Sequence, residues 1–235
     1  MKMTRRVFGA VLALIMMLSL AGCGGMTTDD AKAYVQSVLD ASYKADFSEY
    51  TEQTDSTEEE AQQLFDDNLD NIMSMGGFTD AGLSDELSAN YRQLFQDMLA
   101  QAKYELGEAT EGEDGGFVVE VSAEPFTAFD GLQDEVLSAV QAEMANITDI
   151  SQMPSDEEIN EMVFQKMYDS LVQRVAEPSY GEAQTVELHV ELNDDNMYYI
   201  NEDDLTSLDS ILFPAAIFRN RSEKDRSFMW PVFYL

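Results

Sequence analysis

The chain has 235 residues, 46 acidic against 13 basic side chains, one histidine and one cysteine, and a formal net charge of −33 at pH 7. So negative a field repels nucleic acid and anionic lipid head groups, which sets aside a nucleic-acid partner. A lone cysteine allows no intramolecular disulfide, so the fold has no covalent staple. The first element in chain order is a leader. Lys2, Arg5 and Arg6 are the only charges before residue 29, and an apolar run from Val7 to Leu20 follows them. That run is short for a membrane-spanning helix, which needs about 20 residues, and its order of charge, apolar stretch and small residues is that of a secretory signal.

Leu20-Ala21-Gly22-Cys23 closes the leader. The tetrapeptide resembles a bacterial lipobox. The resemblance implies a diacylglycerol on the Cys23 sulfur and cleavage before it, with residues 1–22 removed as a signal peptide. Two acyl chains hold a protein on a bilayer stably where one holds it marginally. The implied location is the outer face of the cell membrane, with the membrane itself as a partner through the lipid on Cys23. Cleavage removes three basic and no acidic side chains, so the mature charge is about −36. Residues 23–28 read as a short lipidated tether that keeps the following domain near the membrane.

Residues 29 to 43 read as a first helix, with Ala31, Tyr34, Val35, Val38 and Leu39 at three-four spacing and Thr28 or Asp29 as its cap. Ala45 to Ser56 is polar, with Phe47 and Tyr50 as anchors. Thr57 and Glu60 form a capping box for a second helix that runs to about Met75, where Gly76-Gly77 ends it. Ser84 opens a third helix with the stripe Leu87, Tyr91, Leu94, Phe95, Met98, Leu99 and Ala102.

The period then changes. Tyr104 to Thr110 and Phe117 to Glu124 read as strands around a glycine-rich turn, and the second alternates strictly between apolar and polar residues. Phe129, Leu132, Val136, Val140, Met144 and Ile147 mark a fourth helix. Ser155 and Glu158 cap a fifth, and Pro178 ends it. Gln184 to Leu192 is the clearest strand, with Val186, Leu188, Val190 and Leu192 on one face. Met197 to Ile200 is a fourth strand, and a last short helix spans about Glu202 to Leu212. Isolated two-stranded hairpins are marginal in water, so the two hairpins are expected to form one sheet. The predicted class is α+β: a four-stranded antiparallel sheet packed against N-terminal helices, with a two-helix insertion at about 128–177 between strands 2 and 3. The domain covers 29–213.

This order of elements behind a lipobox resembles small lipoproteins of Gram-positive bacteria with a cystatin-like roll, in the nuclear transport factor two-like superfamily. The residues that carry the resemblance are Tyr34 to Asp46, Leu106-Gly107-Glu108-Ala109, and Tyr198-Tyr199-Ile200-Asn201-Glu202-Asp203-Asp204-Leu205. The superfamily hosts enzymes, ligand carriers and interaction modules, so the fold supplies no function by itself. Its enzymes work in the cone between sheet and helices. By that resemblance Tyr34, Tyr43, Asp46, Tyr91 and Tyr104 would line a ligand site here, the alternative being that they pack the core and its rim.

Other constellations are weak. Asp66-Asp67-Asn68-Leu69-Asp70 starts like a calcium loop, but Asn71 and Gly77 stand where a glycine and a bidentate acid are needed, so it reads as solvated helix. Asn193-Asp194-Asp195-Asn196 reads as a hairpin turn, with a weak calcium contact as the lesser alternative. Zinc lacks ligands and no glycine-rich phosphate loop follows a strand, so no metal and no cofactor is expected. His189 sits on the wet face of its strand between Glu187 and Glu191, and reads as solvated or paired across the strand rather than as a catalytic base. No catalytic residue is assigned. The segment 214–235 sets Arg219, Arg221, Lys224 and Arg226 against Glu223 and Asp225, among Phe218, Phe228, Trp230, Phe233 and Tyr234. That mixture suits a membrane interface, docking on the acidic body, or an unstructured end. The expected role is a binding or interaction module for an envelope protein or peptide. A ligand carrier or an enzyme (a hydrolase or isomerase) using the cone is the rival. A third reading makes the helix pair from Phe129 to Val175 the docking element.

Overall fold

A computed structural model of the chain describes residues 25–54, 56–147 and 153–214. Four helices precede the sheet. α1 (Thr28–Lys44) is capped one or two residues earlier than the sequence suggested: Thr27, not Thr28 or Asp29, takes the cap, and its hydroxyl accepts from the Asp30 amide while the Asp30 carboxylate accepts from the Thr27 amide at 2.9 Å. Such a reciprocal box satisfies two otherwise orphaned donors. Met26 is already buried, at 7% exposure, within the main core. Packing of the described chain thus begins at Met26, inside the span 23–28 that the sequence suggested as a tether.

The polar stretch after α1 is partly helical. It forms the seven-residue α2 (Ser48–Thr54), with Asp46 accepting from the Ser48 amide and hydroxyl at its start. Phe47 and Tyr50 fix it to the core, and Phe47 meets Phe65 edge-on. Too short to show a three-four stripe, α2 leaves only those two anchors as its signature. α3 (Glu58–Met75) begins at the Thr57–Glu60 box and ends at Gly76; Gly77 takes the left-handed φ of 79° that reverses the chain. α4 (Asp85–Leu99) starts at Ser84. Arg92 of α4 reaches Asp66 and Asp70 of α3 and ties the two helices.

β1 (Lys103–Glu111) and β2 (Phe117–Glu124) make the first hairpin, with a 3-10 turn at Glu113–Gly115 and a bulge in β1 between Leu106 and Ala109. β3 (Gln184–Leu192) and β4 (Tyr198–Ile200) make the second. The four strands form one antiparallel sheet in the order β1-β2-β3-β4. Between β2 and β3 lies the helical pair α5 (Leu132–Ala145) and α6 (Asp156–Ala176). Phe129 and Ile147 fall just outside α5, one on either side of it. The insertion has a short stem: Phe126 and Tyr180 bridge, the Thr127 amide donates to the Ser179 carbonyl, and the Gly181 amide donates to the Pro125 carbonyl. α7 (Glu202–Leu212) closes the domain.

The apolar face of the sheet, Val119, Val121, Leu188 and Val190, packs under α1 and α7 with Val35, Val38, Leu39, Leu205, Leu208 and Leu212. α6 docks on α4 through an aromatic group. Phe78 lies 4.6 Å from Tyr91, 5.0 Å from Phe95 and 5.6 Å from Phe164, centroid to centroid. The edge is sealed by polar contacts: the Ser84 hydroxyl donates to Glu161 at 2.7 Å, and the Asn160 amide donates to the Ala81 carbonyl. No helix among the described residues is long and apolar enough to cross a membrane.

Candidate functional site

Two regions bear on function: the tyrosines expected to line a cone, and the uncovered face of the sheet. The tyrosines are core. Tyr34, Tyr43 and Tyr91 are essentially inaccessible. Tyr43 donates to Asp209 of α7 at 2.6 Å, and Asp209 is itself buried. Tyr104 of β1 donates to Asp40 of α1 at 2.7 Å, with the Lys44 ammonium over its ring. Tyr91 donates to the Phe164 carbonyl of α6 at 2.6 Å. Burial pushes the phenols of Tyr34, Tyr43, Tyr91 and Tyr104 well above the usual range, and for Tyr43 and Tyr104 the neighbouring carboxylates Asp209 and Asp40 add to it. Burial works against the charge of Asp40. Hydrogen bonds from Lys44, Gln36 and Tyr104 outweigh it and hold this carboxyl below its ordinary value.

The five residues do not converge. Tyr43 and Tyr104 are neighbours, with ring centroids 5.8 Å apart. Tyr34 lies toward Tyr50, Tyr91 belongs to the α4–α6 aromatic group, and Asp46 is an exposed cap of α2. The hydroxyls of Tyr43, Tyr91 and Tyr104 join helices to helices and helix to sheet. One phenol stands apart: the Tyr50 hydroxyl is buried with no hydrogen-bond partner among the described residues.

The opposite face of the sheet carries the acids. Strict alternation puts Glu105, Glu120, Ser122, Thr185, Glu187, His189, Glu191 and Tyr199 on it. Glu120 stands directly across from Glu187. Like charges so placed are destabilising. All six cations among the described residues, Lys32, Lys44, Arg92, Lys103, Lys166 and Arg174, are already held by other carboxylates. None offsets Glu120 or Glu187.

His189 is paired, and its partner is one that sequence spacing did not single out. Its Nδ1 lies 2.7 Å from the Asp204 carboxylate, which also accepts the His189 backbone N–H at 2.8 Å. Asp204 is placed by α7, whose cap Asn201 accepts from the Asp203 and Asp204 amides. The Asn201 side chain also donates to Glu191, and Tyr199 donates to the same carboxylate at 2.6 Å. The bonds from Tyr199 and Asn201 hold Glu191 below its usual range, and Glu191 raises Tyr199 in turn. Reading Asn201 as a helix cap would have pointed to Asp204. No hydroxyl or thiol hydrogen-bonds His189 among the described residues. The pair fastens α7 to β3. The acidic pair Asp66 and Asp70 lies on α3 against Arg92, and Asn193 closes its own turn by accepting from the Asp195 and Met197 amides. Among the described residues no group of three or more His, Cys, Asp or Glu is arranged to hold a metal. Cys23, the leader and residues 215–235 lie outside the described residues.

The features above define an α+β domain with one antiparallel sheet, covered by helices on one face and lined with carboxylates on the other. No protein family and no curated protein matches the sequence. Among solved structures, the fold is similar to that of a protein described as a lipoprotein, YcdA of Bacillus subtilis, with a TM-score of 0.51 at 17% sequence identity. The match covers 79% of this chain and 56% of that one, so this chain spans little more than half of its neighbour's length. At that identity the likeness is one of fold.

Proposed function

We propose that this chain is a lipid-anchored lipoprotein of the cell envelope, of the cystatin-like, nuclear transport factor two-like kind, that acts as a binding module and not as an enzyme. Leu20-Ala21-Gly22-Cys23 at the end of an apolar leader carries the reading. Burial of Met26 supports its geometry, because it leaves almost no slack between the lipid and the domain. The body is then held against the outer leaflet, with its carboxylate face available to an envelope protein or peptide. A likeness in fold to a protein described as a lipoprotein agrees with this. The cone reading gains no support, since the Tyr43, Tyr91 and Tyr104 hydroxyls are spent on internal bonds. Metabolic labelling with a clickable palmitate analogue, followed by mass spectrometry of the amino terminus, tests the proposal. A labelled product beginning at Cys23 is expected. An unlabelled product beginning at Met1 would overturn it.

A further inference from the structure

The second hairpin is unequal. β3 has nine residues, but β4 pairs only with Val190, Glu191 and Leu192. In an antiparallel ladder, alternate residues turn their backbone groups to opposite sides. On β3 the odd-numbered residues face β4: the Asn193 amide donates to Met197, and the His189 carbonyl accepts from Asn201. The His189 amide is taken by Asp204. The next two outward residues, Thr185 and Glu187, have no partner on that side among the described residues, and both are exposed. α7 does not cover them by pairing; its apolar side chains Leu205, Leu208 and Leu212 lie on the other face of the sheet, in the core. The opposite edge of the sheet is different. β1 is broken by its bulge, which blunts an edge against further pairing.

We propose that the open half of β3, from Gln184 to Leu188, is a strand-addition site for an extended basic peptide of a partner protein. This rests on the binding-module reading and names its surface. Thr185 and Glu187 would exchange N–H and C=O bonds with the incoming strand, the mode in which main-chain bonds supply affinity and alternate side chains supply choice. Peptide residues across from Thr185 and Glu187 project onto the acidic face, beside Glu187 and its neighbour Glu120. Lysine or arginine there meets two carboxylates that no cation among the described residues offsets. The residue between them projects to the other side, beside the half-buried Val186, and is apolar. The recognised pattern is thus basic, apolar, basic over three consecutive residues. The chain's own Arg219 and Arg221 have the same two-residue spacing, with Asn220 between them, and are the competing occupant.

The test uses full-length protein and a fluorescent peptide with the core Thr-Lys-Val-Lys-Val. Anisotropy titration at low salt gives its affinity, and amide exchange by NMR reads Thr185 and Glu187. The expected result is saturable binding, at least about tenfold slower exchange at both amides in the complex, and about tenfold weaker binding when the peptide amides on the pairing edge are N-methylated. Thr185→Pro, which removes an outward donor at a position where an edge strand tolerates proline, is expected to weaken binding likewise. Equal affinity for the N-methylated peptide would mean charge attraction alone and would overturn the proposal. So would unchanged exchange at Thr185 and Glu187. Slow exchange there in the free protein that becomes fast on deletion of residues 214–235 would assign the edge to the chain's own tail, again against the proposal. None of these failures touches the lipid on Cys23, which the palmitate experiment reads separately.

Discussion

Two buried phenols of the same chemistry are expected to respond in opposite directions to loss of their oxygen. Tyr43 is wholly buried, and its hydroxyl is 2.6 Å from the buried carboxylate of Asp209, which joins α1 to α7. A hydrogen bond to a charged group contributes about 1.5–3 kcal/mol, and a buried acceptor left short of a donor adds a desolvation cost of similar size. Asp209 keeps another interaction, so Tyr43→Phe is expected near the lower end, at about 2 kcal/mol of destabilisation. Tyr50 is also inaccessible, but its hydroxyl has no partner among the described residues. Tyr50→Phe removes an unsatisfied group and is expected to be neutral or to stabilise by about 1 kcal/mol. Urea unfolding followed by circular dichroism reads both. With a slope of roughly 2 kcal/mol per molar for a domain of this size, the midpoint falls by about 1 M in the first variant and holds or rises by up to about 0.5 M in the second. Equal midpoints for the two variants, at unchanged slope, would refute the hydrogen-bond assignment that joins helix to helix here.

Phe78→Ala should cost about 3–5 kcal/mol, because it empties the junction of Tyr91, Phe95 and Phe164 where α6 rests on α4; a thermal melt of the purified variant checks this. Glu120→Gln should stabilise by about 0.2–1 kcal/mol in the same urea assay, since it removes one of two like charges facing each other across β2 and β3. Stability should fall as the pH rises above about 10. Tyr34, Tyr43, Tyr50, Tyr91 and Tyr104 have raised values in the folded state, so the unfolded chain loses those protons first, and each contributes a loss of up to about 1.4 kcal/mol per pH unit until its folded value is reached. Their absorbance near 295 nm should therefore appear together with loss of the circular dichroism signal; smooth titration of these phenols in folded protein would contradict their burial.

Periodicity carried most of the fold. The alternation of Val186, Leu188 and Val190 fixed the register of β3, and the Thr57–Glu60 and Ser155–Glu158 boxes marked helix starts that the structure reproduces. Where the pattern was too short, it failed. α2 has seven residues and two apolar anchors, fewer than a periodic signal requires. The Thr27 cap is hard to read in the chain, because Asp30 stands where glutamate usually completes the box. The candidate site was less legible. Tyrosine suits a ligand cavity and a core equally, and only the third dimension shows that Tyr43 and Tyr104 meet buried or half-buried carboxylates from α7 and α1. The pairing of His189 with Asp204 depends on α7 folding back along β3, which spacing in the chain does not encode. The open edge at Thr185 and Glu187 follows from a mismatch in strand length, nine residues against three, that a boundary uncertain by a few residues would hide.

One thiol, Cys23, is proposed to carry the lipid that holds this acidic domain on the membrane. Fractionation of cells expressing wild-type protein and Cys23→Ala tests it most directly, with carbonate washing to strip proteins held by charge. Wild-type protein is expected to stay with the washed membranes and the variant to leave them, as an uncleaved precursor or in the medium. Retention of Cys23→Ala on washed membranes, at its mature size and to the same extent as wild type, would contradict the account.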